Sequence, residues 1–219
     1  MNIVAGYNII GQQFVAPSSD DSAASVQTIV PGEGLDIWGS DSIQTWDPVL
    51  GEYTDYYYFG ADAGGVGQQQ SAGWGTLNQE ELDDTIPAGK AFWANASDDS
   101  TITTCGQVPA GNTVEINAGY NLVCAPQPIA VDIQSIIPGE GFDVWGSDNI
   151  QLWDAEQEEY IDFYYFGADA GGVDGEAGWG NLNQEKLDYV IPAGVGFWVN
   201  ASDDCTFTFP NALSAGNAD

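Results

Sequence analysis

One stretch of this chain is written twice. PGEGLDIWGSDSIQTW at 31–46 returns at 138–153, changed only at Leu35/Phe142, Ile37/Val144, Ser42/Asn149 and Thr45/Leu152. YFGADAGGV occurs at 58–66 and again at 165–173, and IPAGKAFWANASDD at 86–99 returns as IPAGVGFWVNASDD at 191–204. The spacing, about 107 residues from Pro31 to Pro138, is far longer than the roughly 20–50 residues of solenoid repeats. A period of that length is a domain. The expected organisation is therefore two similarly shaped folding units at 1–106 and 114–210, a short link at 107–113 and a polar tail at 211–219.

Each unit reads as β. Residues 5–10 and 118–123 form the opening strands, Leu35–Trp38 and Ser42–Trp46 short ones, and Tyr53–Phe59 alternates as a half-exposed strand does. Gly60–Gly73 is a glycine-rich loop, and 91–96 and 101–104 are closing strands. Ser18–Val30, stopped by Pro31-Gly32, reads as a short helix, with a shorter counterpart at Ile129–Ile137. The fold class expected is all-β: two tandem β-sandwiches or partly open barrels, each with one short helix. Hydrophobic residues make up 43% of the chain, enough for each unit to bury a core.

Charge then narrows the partners. Thirty-three Asp and Glu face two Lys, with no His, for a formal net charge of −31. Such a surface repels phosphate backbones and anionic lipid headgroups, which excludes nucleic acid and membrane-surface binding. No stretch approaches the roughly 18 apolar residues of a membrane span, and the segment after Met1 reads as strand rather than secretory leader. What the charge attracts is cations, with Ca²⁺ the cofactor candidate, or a basic partner. Stability is expected to rise with ionic strength or with Ca²⁺.

Without His, nucleophilic triads and His-ligated metals are absent. A pair of carboxylates suited to glycoside hydrolysis is always available among so many acids, so its presence carries no information; no enzymatic activity is expected. Metal-ligand candidates are Asp62 and Asp169 in the glycine-rich loops, and Asp36, Asp41 and Asp47 with Asp143, Asp148 and Asp154 around the Trp-containing turns. The competing reading is that Asp and Gly are simply good turn residues. Ligand or assembly aromatics are Tyr57 and Tyr164, on strands with rings on both faces, and Trp74 and Trp179, in Ala-Gly-Trp-Gly loops. Trp38, Trp93, Trp145 and Trp198 sit in apolar contexts and read as structural. Cys124 falls opposite Ile10 or Gly11, and Cys205 opposite Ser100, so only the second unit has both; a Cys124–Cys205 disulfide is expected, with Cys105–Cys124 the rival pairing.

Gly-Tyr-Asn-Leu-Val at 119–123, the aromatic run around Trp153 and Tyr160, IPAGVGFWV at 191–199, Thr-Phe-Thr-Phe at 206–209 and the junction 101–111 resemble a module of bacterial secreted proteins of the planctomycete and verrucomicrobial type. That module opens on G-(W/Y)-N-L and closes on P-G-x-G-(F/Y)-(F/W). The resemblance implies a secreted or cell-surface location and a tandem β architecture, not an activity. Two functions compete: a structural subunit that self-associates into a homo-oligomer, filament or layer, and a glycan- or partner-binding module with two equivalent sites.

Overall fold

Strands and tight turns account for the described part of the chain, residues 1–17 and 23–211 of a computed structural model. The first module contains β1 (Asn2–Ile3), β2 (Gly6–Gly11), β3 (Ala24–Ser25), β4 (Val30–Pro31), β5 (Trp38–Asp47), β6 (Glu52–Phe59), β7 (Gly73–Gly75), β8 (Thr85–Ile86), β9 (Ala91–Ala96) and β10 (Ser100–Thr103). The second repeats them as β11 (Thr113–Ile116), β12 (Gly119–Cys124), β13 (Val131–Asp132), β14 (Ile137–Pro138), β15 (Trp145–Asp154), β16 (Glu159–Phe166), β17 (Gly178–Gly180), β18 (Val190–Ile191), β19 (Gly196–Ala201) and β20 (Cys205–Thr208). In each module a five-stranded antiparallel sheet, ordered β2-β9-β5-β6-β7 or β12-β19-β15-β16-β17, faces a three-stranded sheet and a two-stranded ribbon. This is a sandwich-like all-β fold, and among the described residues no sheet closes into a barrel.

Each module has its own core between these layers. Ile10, Ile43, Phe92, Ala94, Trp74 and Ile102 pack together in the first, and Val123, Ile150, Phe197, Val199, Trp179 and Phe207 in the second. On β9 the inward residues are Phe92, Ala94 and Ala96, so Ala91 and Trp93 point out of the opposite face. That outer face is also apolar, because the other module covers it. Ile9, Ala91 and Trp93 meet Leu122, Cys124 and Trp198 in a third buried cluster, with Trp46 and Trp153 packed at its edge. The modules are thus docked back to back through their large sheets and not strung on a link.

Docking also engages the end of one edge of each large sheet. Gly11 N–H donates to the Gly194 carbonyl at 2.7 Å and Cys124 N–H to the Gly89 carbonyl at 2.9 Å, so the last residues of β2 and β12 are paired by the opposite module. Gly11 and Cys124 are equivalent positions, and Ala91 and Gly196 are another such pair. A Cβ on Gly11 would lie 2.5 Å from the Cys124 Cβ, and one on Gly196 2.4 Å from the Ala91 Cβ. Equivalent positions in contact mark a pseudo-two-fold axis, and at both contacts one copy carries glycine.

Two expected elements differ. Among the described residues neither module has an α-helix. The segment 18–30 lies partly outside the described residues; within it, Ala24–Ser25 is a strand and Val26–Thr28 a single 3₁₀ turn, matched by Ile133–Ser135. Tertiary hydrogen bonds win over helix in this segment. Gln27 Nε2 donates to the carbonyls of Trp74 (2.6 Å) and Leu82 (2.7 Å), while its Oε1 accepts from Trp74 N–H at 2.9 Å. Gln134 repeats this arrangement against Trp179 and Leu187. The two short strands expected at 35–38 and 42–46 are one ten-residue strand, β5, whose register shifts between Trp38 and Ser42.

Candidate functional site

The docked faces meet along a seam of aromatic rings. On the outer face of the first module, register sets Tyr7 beside Asn95, Ile9 beside Trp93, Gln44 beside Trp93 and Asp55, and Trp46 beside Tyr53. The second module presents Tyr120, Trp198, Gln151, Asp162, Trp153 and Tyr160 in the same places. Docking then interlocks them. Trp46 Nε1 donates to the Tyr120 carbonyl at 2.7 Å, and Trp153 Nε1 to the Tyr7 carbonyl at 2.7 Å. Each bond is the pseudo-symmetric image of the other.

The rings form two chains of four. Tyr7–Trp93, Trp93–Trp153 and Trp153–Tyr160 follow at centroid steps of 5.8, 5.8 and 5.0 Å. Tyr120–Trp198, Trp198–Trp46 and Trp46–Tyr53 follow at 6.0, 5.5 and 4.8 Å. Edge-on and tilted contacts of this kind add to area burial and hold the rings rigid. The tryptophans fill the inside of the seam. The tyrosines remain open: Tyr7, Tyr53, Tyr120 and Tyr160 are between 42 and 50% exposed.

Two equivalent clefts result. One, of about 390 Å³, is lined by Tyr7, Gln44, Tyr53, Trp93, Trp153 and Tyr160; its image, of about 320 Å³, is lined by Tyr120, Gln151, Tyr160, Trp198, Trp46 and Tyr53. Both volumes are in the range of small-molecule sites, which combine apolar walls with a few fixed polar groups. The polar group in each is a glutamine amide. Gln44 Nε2 donates to Asp55 Oδ1 at 2.6 Å and Gln151 Nε2 to Asp162 Oδ1 at 2.9 Å, which fixes the amide plane. Tyr53 and Tyr160 belong to both clefts. Burial holds both hydroxyls above the ordinary tyrosine pKa, and Tyr53 acts on Tyr160 in the same direction. Both are therefore neutral donors near pH 7.

The expected site residues fall elsewhere or in other roles. Trp74 and Trp179 are 0% exposed, each with its indole donating to a backbone carbonyl, of Ile29 at 2.8 Å and Ile136 at 2.9 Å; they are core residues. Trp38 and Trp145, expected in the interior, are 66 and 67% exposed. Tyr57 and Tyr164 are half-buried on the outer face at the end of β6 and β16, outside the cleft walls. The cleft residues Tyr7, Tyr53, Trp46 and their images are not among the expected ligand aromatics.

The metal candidates do not fit a cation. Asp41 is buried, its Oδ1 accepting from Ser97 N–H and hydroxyl and its Oδ2 from Asp36 N–H; Asp148 accepts from Ser202 and Asp143 in the same way. Donor protons aimed at a carboxylate occupy the place a cation would need. Ser40 and Ser147 hold Asp36 and Asp143 below the usual carboxylate pKa by hydrogen bonding. Asp47 and Asp154 cap their own turns. Asp62 and Asp169 are exposed on 3₁₀ turns, and the Gly60 and Ala61 carbonyls beside Asp62 accept from their own loop. Among the described residues no group of three or more Asp, Glu or Cys side chains is placed to hold a metal.

The disulfide expectation is also corrected: all three cysteines are free. Cys124 points from β12 into the seam, whereas Cys205 points from β20 into the core of the second module. They lie on opposite sides of the five-stranded sheet. Cys105 is exposed and does not reach Cys124. Among the described residues no helix is long and apolar enough to cross a membrane. No family model matches the chain, and neither a curated protein nor a solved structure does.

Proposed function

We propose that this chain is a non-enzymatic binding protein, acting outside the cell, whose twin clefts take uncharged carbohydrate. The observation that carries this reading is the pair of clefts itself: six residues in each, all aromatic but one, with the exception a glutamine clamped by a carboxylate. Pyranose rings offer an apolar face to stack on tyrosine or tryptophan and a rim of hydroxyls that pair with amide and phenol groups. The rings are held by packing before any ligand arrives, so little ordering cost opposes binding.

Charge favours a neutral sugar, since −31 repels uronates and sulfated chains. Self-association has less support. The aromatic seam is spent on contacts within the chain, leaving Trp38 and Trp145 as the exposed tryptophans, and the last residues of β2 and β12 are paired by the opposite module.

Affinity electrophoresis through gels carrying soluble neutral polysaccharides (hydroxyethylcellulose, xylan, glucomannan) tests the reading. Retardation by at least one of them is expected, and Tyr7→Ala with Tyr120→Ala, which alter exposed rings, should abolish it without moving the thermal melt. Migration unaffected by all three, or retardation that survives the double substitution, would overturn it, as would retardation by a cationic polymer alone.

A further inference from the structure

The two clefts share two of their walls, and this has a consequence for the ligand. Tyr53 lines both, as does Tyr160, and the two are equivalent positions in the two modules. They therefore meet at the pseudo-two-fold axis on the open side of the seam. One chain of four rings runs from Tyr7 through Trp93 and Trp153 to Tyr160, the other from Tyr53 through Trp46 and Trp198 to Tyr120, and the shared walls Tyr160 and Tyr53 bring their ends to the same place.

Resting on the carbohydrate reading, we propose that the clefts are the two halves of one groove and that a single linear polysaccharide segment occupies both. The axis adds a chemical requirement. A chain has a reducing and a non-reducing end, so a segment crossing a two-fold meets the same side chains in opposite directions in the two halves. A polymer with strongly unlike faces or directions would satisfy one half and not the other. Flat chains of pyranoses linked through equatorial bonds at both ring ends present apolar faces either way, and the contacts along the groove are tolerant of direction: ring faces, and one amide per half that both donates and accepts. The ligand class is thus β-1,4-linked gluco-, manno- or xylo-configured chains long enough to pass Tyr53 and Tyr160.

Joining two weak half-sites through one ligand makes the second contact intramolecular, which raises affinity by roughly 10²-fold or more once the chain spans both. Calorimetry with β-1,4-linked gluco-, manno- and xylo-oligosaccharides, from disaccharide to octasaccharide, tests this on the intact protein. Short members should bind with two per chain; the long members of a recognised series should bind with one per chain and about 10²-fold more tightly. Tyr53→Ala should bring the long members back to short-chain affinity while short ones still bind at the far ends of the seam. Long members binding two per chain with short-chain affinity would show independent clefts and overturn the continuous groove, leaving the carbohydrate reading intact. No heat with any series, together with no retardation in the polysaccharide gels, would overturn both.

Discussion

Gly11 is the most informative single position for the docking of the modules. Its backbone is not in the left-handed region, so alanine is allowed there by conformation, and the gain from a stiffer unfolded chain is about 0.4–1 kcal/mol. Sterics oppose it. The new Cβ would lie 2.5 Å from the Cys124 Cβ and 2.6 Å from its Sγ, against an optimum of roughly 3.5–4.0 Å between carbon atoms. The sheets must part by about an ångström at the axis, and overpacking of that kind costs roughly 1–3 kcal/mol. Gly11→Ala should therefore lose up to about 2.5 kcal/mol, a fall of up to about 10 °C in Tm at about 2–4 °C per kcal/mol. In a Cys124→Gly background the obstacle is gone and the same substitution should be neutral or stabilising. Gly111→Ala, where nothing lies within 4 Å of the added Cβ, is the control. Differential scanning calorimetry of the four-member cycle measures the coupling between Gly11 and Cys124, expected near 1 kcal/mol or more. An additive cycle, with Gly11→Ala equally costly in both backgrounds, would mean that the modules do not meet at these two residues.

Trp46→Phe and Trp153→Phe each remove one 2.7 Å indole bond across the seam; denaturant titration should give a loss of about 0.5–1.5 kcal/mol for each, the two equal within error because the bonds are images. Burial, with Asp84 adding to it, pushes the Tyr56 pKa from 10.0 to about 12. The folded state keeps that proton longer than the unfolded state, so the stability involved is present below pH 10 and lost as pH rises towards 12; Tyr56→Phe, the residue the second module has as Phe163, should flatten that part of an alkaline denaturation curve. In native protein a thiol reagent should modify exposed Cys105 at once and leave Cys124, whose pKa burial raises, untouched until unfolding; a Cys124–Cys205 cross-link in non-reducing peptide maps would refute the placement of these two side chains on opposite sides of the sheet. The described residues contain a single ion pair, Lys186–Asp188 at 3.6 Å, so Tm should climb as NaCl screens the surface, and CaCl₂ at matched ionic strength should add nothing further.

Much of the architecture is legible in the chain because it is local. The repeated motifs divide the chain into two modules, and alternation in Tyr53–Phe59 marks β6. The failures share a cause: contacts made at long range. Ser18–Val30 reads as helix until Gln27 is seen to spend its side chain on Trp74 and Leu82. Ala-Gly-Trp-Gly reads as an open loop until the same glutamine pins Trp74 into the core. Asp41 resembles a cation ligand until Ser97, far along the chain, fills its carboxylate.

The seam is an intermediate case, with a signal present in β9 and β19. Phe-Trp-Ala and Phe-Trp-Val are apolar at consecutive positions, which a strand tolerates only when both faces are covered. A run of that kind in both copies requires a cover for each outer face, and two like modules on one chain supply it most economically by covering one another. That pairing constrains the sequence in return. On a two-fold axis each residue meets its own equivalent, so identical copies would bring two side chains together or leave two gaps. The copies are nearly identical through PGEGxD, YFGADAGGV and IPAG, yet differ at Gly11/Cys124 and Ala91/Gly196, where one side chain faces one glycine. Divergence at these two tight contacts is what a back-to-back pair within one chain demands, whereas Tyr53 and Tyr160, identical on the open side of the seam, stay exposed along the groove with Tyr7 and Tyr120.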